Sequence, residues 1–196
     1  MISDTKVVAI GGGTGLSTML KGLKLHTHNI TAVVTVADDG GSSGILRSDL
    51  GMLAPGDVRN CVSALAEVDP VMGELLNFRF KDGSLKGHSL GNLFLAALNE
   101  TSSSFDEAVK KFSHLTGVVG TVYPVTNESV TLSALLEDGR LIEGESHIGV
   151  HHDGPKNGIV KLMVNPEKPK AVDGVIKALE KSRYNCFRSG KSLHEY

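Results

Sequence analysis

The chain of 196 residues has no tryptophan, and aromatic residues make up only 5% of it. A core built from this sequence is mostly aliphatic. Cysteine is scarce as well. Cys61 and Cys186 form neither a C-x-x-C pair nor a disulfide framework, so a reducing, cytoplasmic setting is expected. No apolar run approaches the roughly 18 residues of a membrane span. The opening "MISDTKVVAI" carries an early Asp instead of the basic start of a secretory signal. Excess charge is missing too: the formal net charge is −2, and lysines and arginines are scattered. That gives no electrostatic ground for nucleic acid or an anionic membrane as partner.

What is present is glycine, placed at the ends of apolar runs. Residues Lys6 to Ile10 are an apolar run without polar alternation, the pattern of a buried strand. Gly11-Gly12-Gly13-Thr14-Gly15 follows, and then Leu16, Met19, Leu20 and Leu23 at the spacing of one helix face. Ile30 to Val36 is a second apolar strand that runs into a second glycine-rich loop, "ADDGGSSG". Strand, helix and strand in this order make a βαβ unit, hence a parallel sheet. "PGDVRNCVSALAEV" predicts a helix capped by Asp57, with Val58, Cys61, Leu65 and Val68 on its apolar side. "HSLGNLFLAALNE" and "SSFDEAVKKFSHL" predict two more, the second with a capping box from Ser104 to Glu107. A strand over Val118 to Tyr123, a hairpin turning at Asp138-Gly139, a strand at "GIVKLMVNP" and a helix at "KAVDGVIKALEKS" complete the pattern. The fold class this gives is α/β: a Rossmann-like, doubly wound, mainly parallel sheet with helices on both faces and a β-hairpin insertion.

The chemistry sits in four segments. The first loop turns a strand straight into a helix, leaving N–H groups of Gly11, Gly12, Gly13, Thr14 and Gly15 for an anion at the positive helix end. Leu16 replaces the third glycine of the dinucleotide fingerprint, which weighs against an NAD-binding oxidoreductase, and no G-K-[ST] follows. The second loop lies at the carboxyl end of the second strand, where such sheets bind ligands. Asp38 and Asp39 suit ribose hydroxyls, a magnesium ion or base catalysis. Gly40, the hydroxyls of Ser42 and Ser43, and the guanidinium fork of Arg47 suit phosphate. In the third segment Arg59 and Asn60 occupy a first helical turn, where a cation needs a compensating partner. In the fourth, His88 opens a helix whose first turns contain Gly91 and Asn92.

"AIGGGTGLSTMLKGLK", "VVTVADDGGSSGILR", "APGDVRNCVSALAE" and "GHSLGNLFLAALNE" together resemble the signature blocks of the YvcK family, or gluconeogenesis factors, over about Lys6 to Glu180. That family is related to CofD, the 2-phospho-L-lactate transferase of deazaflavin cofactor biosynthesis. The resemblance implies a nucleotide-containing ligand bound across the strand ends, with UDP-N-acetylglucosamine the ligand of the YvcK branch. It also implies a role in gluconeogenic growth, cell-wall metabolism and cell shape, with a regulatory protein partner or a homo-oligomer left open. Gly11 to Gly15 and Asp38 to Ser43 would cradle the ligand, and Asp57, Arg59, His88 and Asn92 match polar positions near the same cleft. The alternative it carries is a CofD-like transferase, moving a phospholactyl-type group from a nucleotide diphosphate with magnesium; no catalytic residue is assigned.

Among lesser candidates, His147, His151, His152 and Asp153 stand close together, but without a second liganding cluster they read as a solvated loop. His26 and His28 suit a helix C-terminus, and Cys61 suits the core. Beyond Ser182 the family pattern stops. Where a relative would continue into an apolar strand and a turn of the kind "GPGSLYTS", this chain reads "RYNCFRSGKSLHEY". One choice of synonymous codons for Arg183 to Tyr196, read one base later, would encode such a strand and turn. The expectation is a frameshift near Ser182, leaving a domain over residues 1–182 incomplete at its C-terminal side and a poorly ordered tail over 183–196. The coding DNA tests it.

Overall fold

A computed structural model describes residues 4–151, 158–182 and 184–187. The first half of the chain runs β1 (Val7–Gly11), α1 (Gly13–Leu23), β2 (Ile30–Val34), α2 (Gly41–Leu50), α3 (Gly56–Leu65) and α4 (Pro70–Asn77). Then come α5 (Leu90–Glu100), α6 (Phe105–Leu115), β3 (Thr121–Pro124), β4 (Thr131–Leu136), β5 (Leu141–Glu143) and α7 (Glu145–His151). β6 (Ile159–Asn165), α8 (Asp173–Lys181) and β7 (Tyr184–Phe187) close the described chain.

Strands β1 and β2 read VVAIG and ITAVV, apolar on both faces because both faces are covered. Ala9, Ala32 and Val34 join a core filled by Leu16 and Leu20 of α1, Val58, Cys61 and Leu65 of α3, Leu95 of α5 and Phe112 of α6. Their chain neighbours Val8 and Val33 turn to the other side, against Val172 and Val175 at α8. The period-2 alternation of a strand thus splits one apolar run between two layers. Helices lie on both faces, as expected of a doubly wound sheet.

The parallel sheet has the order β3-β2-β1-β7. The chain steps outward from β1 to β2 to β3, then crosses back to add β7 on the far side of β1. The strand order therefore reverses at β1, and a ligand crevice is expected outside its carboxyl end, where the first glycine loop lies. A separate antiparallel sheet, β5-β4-β6, is inserted between β3 and α8. Its hairpin turns at Gly139, whose φ of 83° suits glycine.

Several local expectations are corrected. "GSSGILRSDL" is helix α2, so the second glycine-rich loop ends at Gly40, and Ser42, Ser43 and Arg47 are helical. Helix α3 begins at Gly56 behind Pro55, and Asp57 lies inside its first turn instead of capping it. At α6, Glu107 accepts the N–H of Ser103 at 2.8 Å, one residue earlier than the expected partner Ser104. The strand expected from Val118 begins at Thr121. Part of the histidine-rich segment is helix α7, while His152 and Asp153 lie outside the described residues. Tyr184–Phe187, expected to be tail, pairs in parallel with Val7–Ile10, because a ladder at a free strand edge is built from backbone groups. Residues 183 and 188–196 lie outside the described residues.

Candidate functional site

Four helix N-termini meet beyond the carboxyl ends of β1 and β2. Helix α1 meets α3 where the Asp57 carboxylate accepts the Gly13 N–H. Helix α3 meets α2 where the Gly56 N–H donates to Ser43 Oγ at 3.1 Å. Helix α2 meets the start of α5 where Ser42 Oγ lies 2.9 Å from His88 Nδ1. Each helix contributes about half a positive charge at this end, so their convergence favours an anion. The sequence places glycine where these ends crowd: a Cβ on Gly12 would run into the Thr35 side chain and lie 2.8 Å from Asp57 Oδ2.

A chain of hydrogen bonds underlies the convergence. Asn92 Nδ2 donates to Ser42 Oγ at 3.1 Å, and Arg59 Nε donates to Asn92 Oδ1 at 3.3 Å. Arg59 Nη1 donates to Asn77 Oδ1 at 2.8 Å. Ser42, His88, Asn92 and Arg59 are all buried. Hydrogen bonds among them, and from Arg59 to Asn77, fix the relative positions of α2, α3, α4 and α5. Ser89 Oγ accepts the Asn92 N–H and caps α5, so His88 precedes the helix instead of opening it.

Carboxylates ring the same place. Asp38 Oδ1 accepts the Gly40 N–H at 2.9 Å, and Asp39 Oδ1 accepts the Ser146 N–H at 2.8 Å, tying the second loop to α7. Burial first, and the charge of Asp38 second, push the Asp57 carboxyl from 3.8 up to about 6. Burial, then Asp57, Asp38 and Asp39, raise Glu145 as well. Among the described residues, no three His, Cys, Asp or Glu side chains are placed to hold a metal ion. Burial first, and Arg79 second, lower the Arg59 pKa, with Asp57 opposing. Cys61 is a core thiol that burial pushes up to about 12.

The structure therefore brings together the first loop, Asp38, Asp39, Gly40, Ser42, Ser43, Asp57, Arg59, His88 and Asn92. Arg47 is not among them: its Nη2 donates to Val130 O at 2.5 Å and to Ser129 Oγ at 3.0 Å, tying α2 to the entry of β4. Asn60 is half-buried on α3 and takes no part in the network. Two site residues were not identified from sequence, Asn77 and Glu145. For Asn77 a signal existed, since Asp69-Pro70 is an N-cap followed by a first-turn proline, which announces helix α4.

The CofD family, 2-phospho-L-lactate transferase CofD, matches residues 7–184. The chain is 57% identical over 171 residues to a protein of Thermoanaerobacterium thermosulfurigenes, covering 87% of this chain and 53% of that one. It is 46% identical over 180 residues to the gluconeogenesis factor of Bacillus subtilis, covering 88% and 55%. An X-ray crystal structure of a Bacillus halodurans protein superimposes with a TM-score of 0.87 at 41% identity, covering 93% of this chain and 58% of that chain. The chain spans about half the length of the curated relatives it matches. A parallel sheet with its switch point at a glycine loop, and sequence identity along nearly the whole chain, lead to one conclusion: the chain belongs to the CofD family and, within it, stands with the gluconeogenesis factors of the YvcK type.

Proposed function

We propose that this chain binds a nucleotide sugar, UDP-N-acetylglucosamine, and acts as a gluconeogenesis and morphogenesis factor that regulates carbon and cell-wall metabolism and cell shape. The observation that carries the reading is the meeting of the α1, α2, α3 and α5 N-termini at the switch point. N–H groups of the first turns of α1 and α2 suit a diphosphate, and the carboxylates of Asp38 and Asp39 suit the hydroxyls of a ribose or sugar.

A thermal melt with UDP-N-acetylglucosamine, UDP, GDP with magnesium, and NAD tests it. A ligand at about 100 times its dissociation constant adds about 2.7 kcal/mol, which moves the midpoint by a few degrees. A shift with UDP-N-acetylglucosamine supports the reading; a cooperative melt that this ligand leaves in place counts against it.

The crowding of Asp38, Asp39, Asp57 and Glu145 favours a second reading, a CofD-like transferase acting on a nucleotide diphosphate. Magnesium is commonly held by one or two carboxylates together with ligand phosphates, so it would enter such a site with the diphosphate. Magnesium-dependent turnover of a nucleotide diphosphate separates the two.

A further inference from the structure

Arg59 is a buried cation that makes no ion pair among the described residues; the charge of Asp57, two residues earlier on α3, reaches it without such a contact. Arg59 is 7% exposed, yet the ion pairs among the described residues are Lys111–Glu107 and Arg140–Asp138. The two groups that hold its guanidinium are neutral amides, Asn92 and Asn77. Its Nη2 has no hydrogen bond among the described residues and is not one of the sealed, unpartnered atoms, which are Ser63 Oγ and Ser113 Oγ. Nη2 therefore reaches solvent. Amide oxygens aim the fork without cancelling its charge, and a buried guanidinium left in that state favours an anion strongly.

The surroundings point the same way. Arg79 stands near enough for its charge to act on Arg59, and two guanidinia so placed repel until an anion lies between them. Gly91, in the first turn of the 11-residue helix α5, lets Arg59 lie across the positive end of that helix. A Cβ there would be 2.9 Å from Arg59 Cδ and 2.6 Å from Leu76 O.

This place is not that of the glycine loop. Asp57 and Arg59 leave α3 on different sides, Asp57 toward Gly13 of α1 and Arg59 toward α4 and α5.

We infer that Arg59 and Arg79 form a second anion subsite beside the nucleotide-sugar position, which takes the phosphate or carboxylate group of a separate small acid. The inference rests on the nucleotide-sugar reading for the identity of the neighbouring ligand, and for nothing else.

The test titrates inorganic phosphate, and acetate in a parallel arm, into the 196-residue chain, alone and with saturating UDP-N-acetylglucosamine. Arginine side-chain NMR resonances and the thermal midpoint are followed together. Phosphate or acetate should move the Arg59 resonances and raise the midpoint whether or not the nucleotide sugar is present, and the arm that acts identifies the acid. Arg59→Lys should weaken that binding about tenfold or more. Arg79→Gln, at an exposed position that carries no core packing, should weaken it in the same direction. Anions that leave the Arg59 resonances unmoved, or that UDP-N-acetylglucosamine displaces, overturn the second subsite. A chain that binds phosphate at Arg59 but ignores UDP-N-acetylglucosamine keeps this inference and overturns the nucleotide-sugar reading.

Discussion

The carboxylate of Asp57, a residue of α3, accepts the Gly13 N–H at the start of α1. An acid of the chain itself thus occupies part of the end that a ligand phosphate would approach. The folded chain holds the Asp57 proton more tightly than the unfolded chain, at about 6 against 3.8. Its stabilising contribution is therefore whole below about pH 4 and is lost as pH rises through about 6, with an upper bound of about 3 kcal/mol. Asp57→Asn should abolish this slope and be the more stable chain at pH 7. Urea unfolding of both chains between pH 4 and 7.5 measures it; parallel curves would refute the assignment.

Ser42→Ala should cost about 1–3 kcal/mol, because it leaves Asn92 Nδ2 and His88 Nδ1 buried without their partner. It should also weaken UDP-N-acetylglucosamine binding, through loss of the fixed geometry between α2 and α5. Denaturant unfolding and isothermal titration read the two effects separately.

Two glycines of one segment should respond oppositely to alanine. Gly12→Ala forces a methyl into Thr35 and Asp57 and should destabilise by about 1–3 kcal/mol. Gly22, inside α1, has nothing within 4 Å of its would-be Cβ, so Gly22→Ala should stabilise by up to about 1 kcal/mol. Midpoints from thermal melts decide both signs.

Arg47→Ala should lose about 1–2 kcal/mol of stability with the contacts to Ser129 and Val130, and should leave nucleotide-sugar affinity in place. A large loss of affinity in the folded variant would return Arg47 to the ligand.

The β1–α1–β2 unit was legible because its apolar runs and helical spacing are local, and the glycine loops marked the strand ends where ligands bind. The destinations of side chains were less legible. Asp57 has the composition of an N-cap, yet tertiary packing carries its carboxylate to a helix more than 40 positions earlier in the chain. Arg47 reads like a phosphate ligand in a loop, but the apolar anchor Leu46 draws the segment into helix α2 and turns Arg47 to β4. Helix α4 escaped notice because Val71, Met72 and Leu75 stay exposed, which blurs the contrast of an amphipathic face. Glu145 carries no local sign of function at all; α7 brings it to the other carboxylates.

Asn92 reads in one direction only, with its oxygen toward Arg59 and its nitrogen toward Ser42. A single-atom exchange, Asn92→Asp, would hand Arg59 a permanent counter-ion and set a second oxygen against the serine. The guanidinium would then have its counter-ion within the chain. In the proposed anion subsite, selectivity for an outside acid would rest on the difference between an amide and a carboxylate, at a position where size and shape are the same.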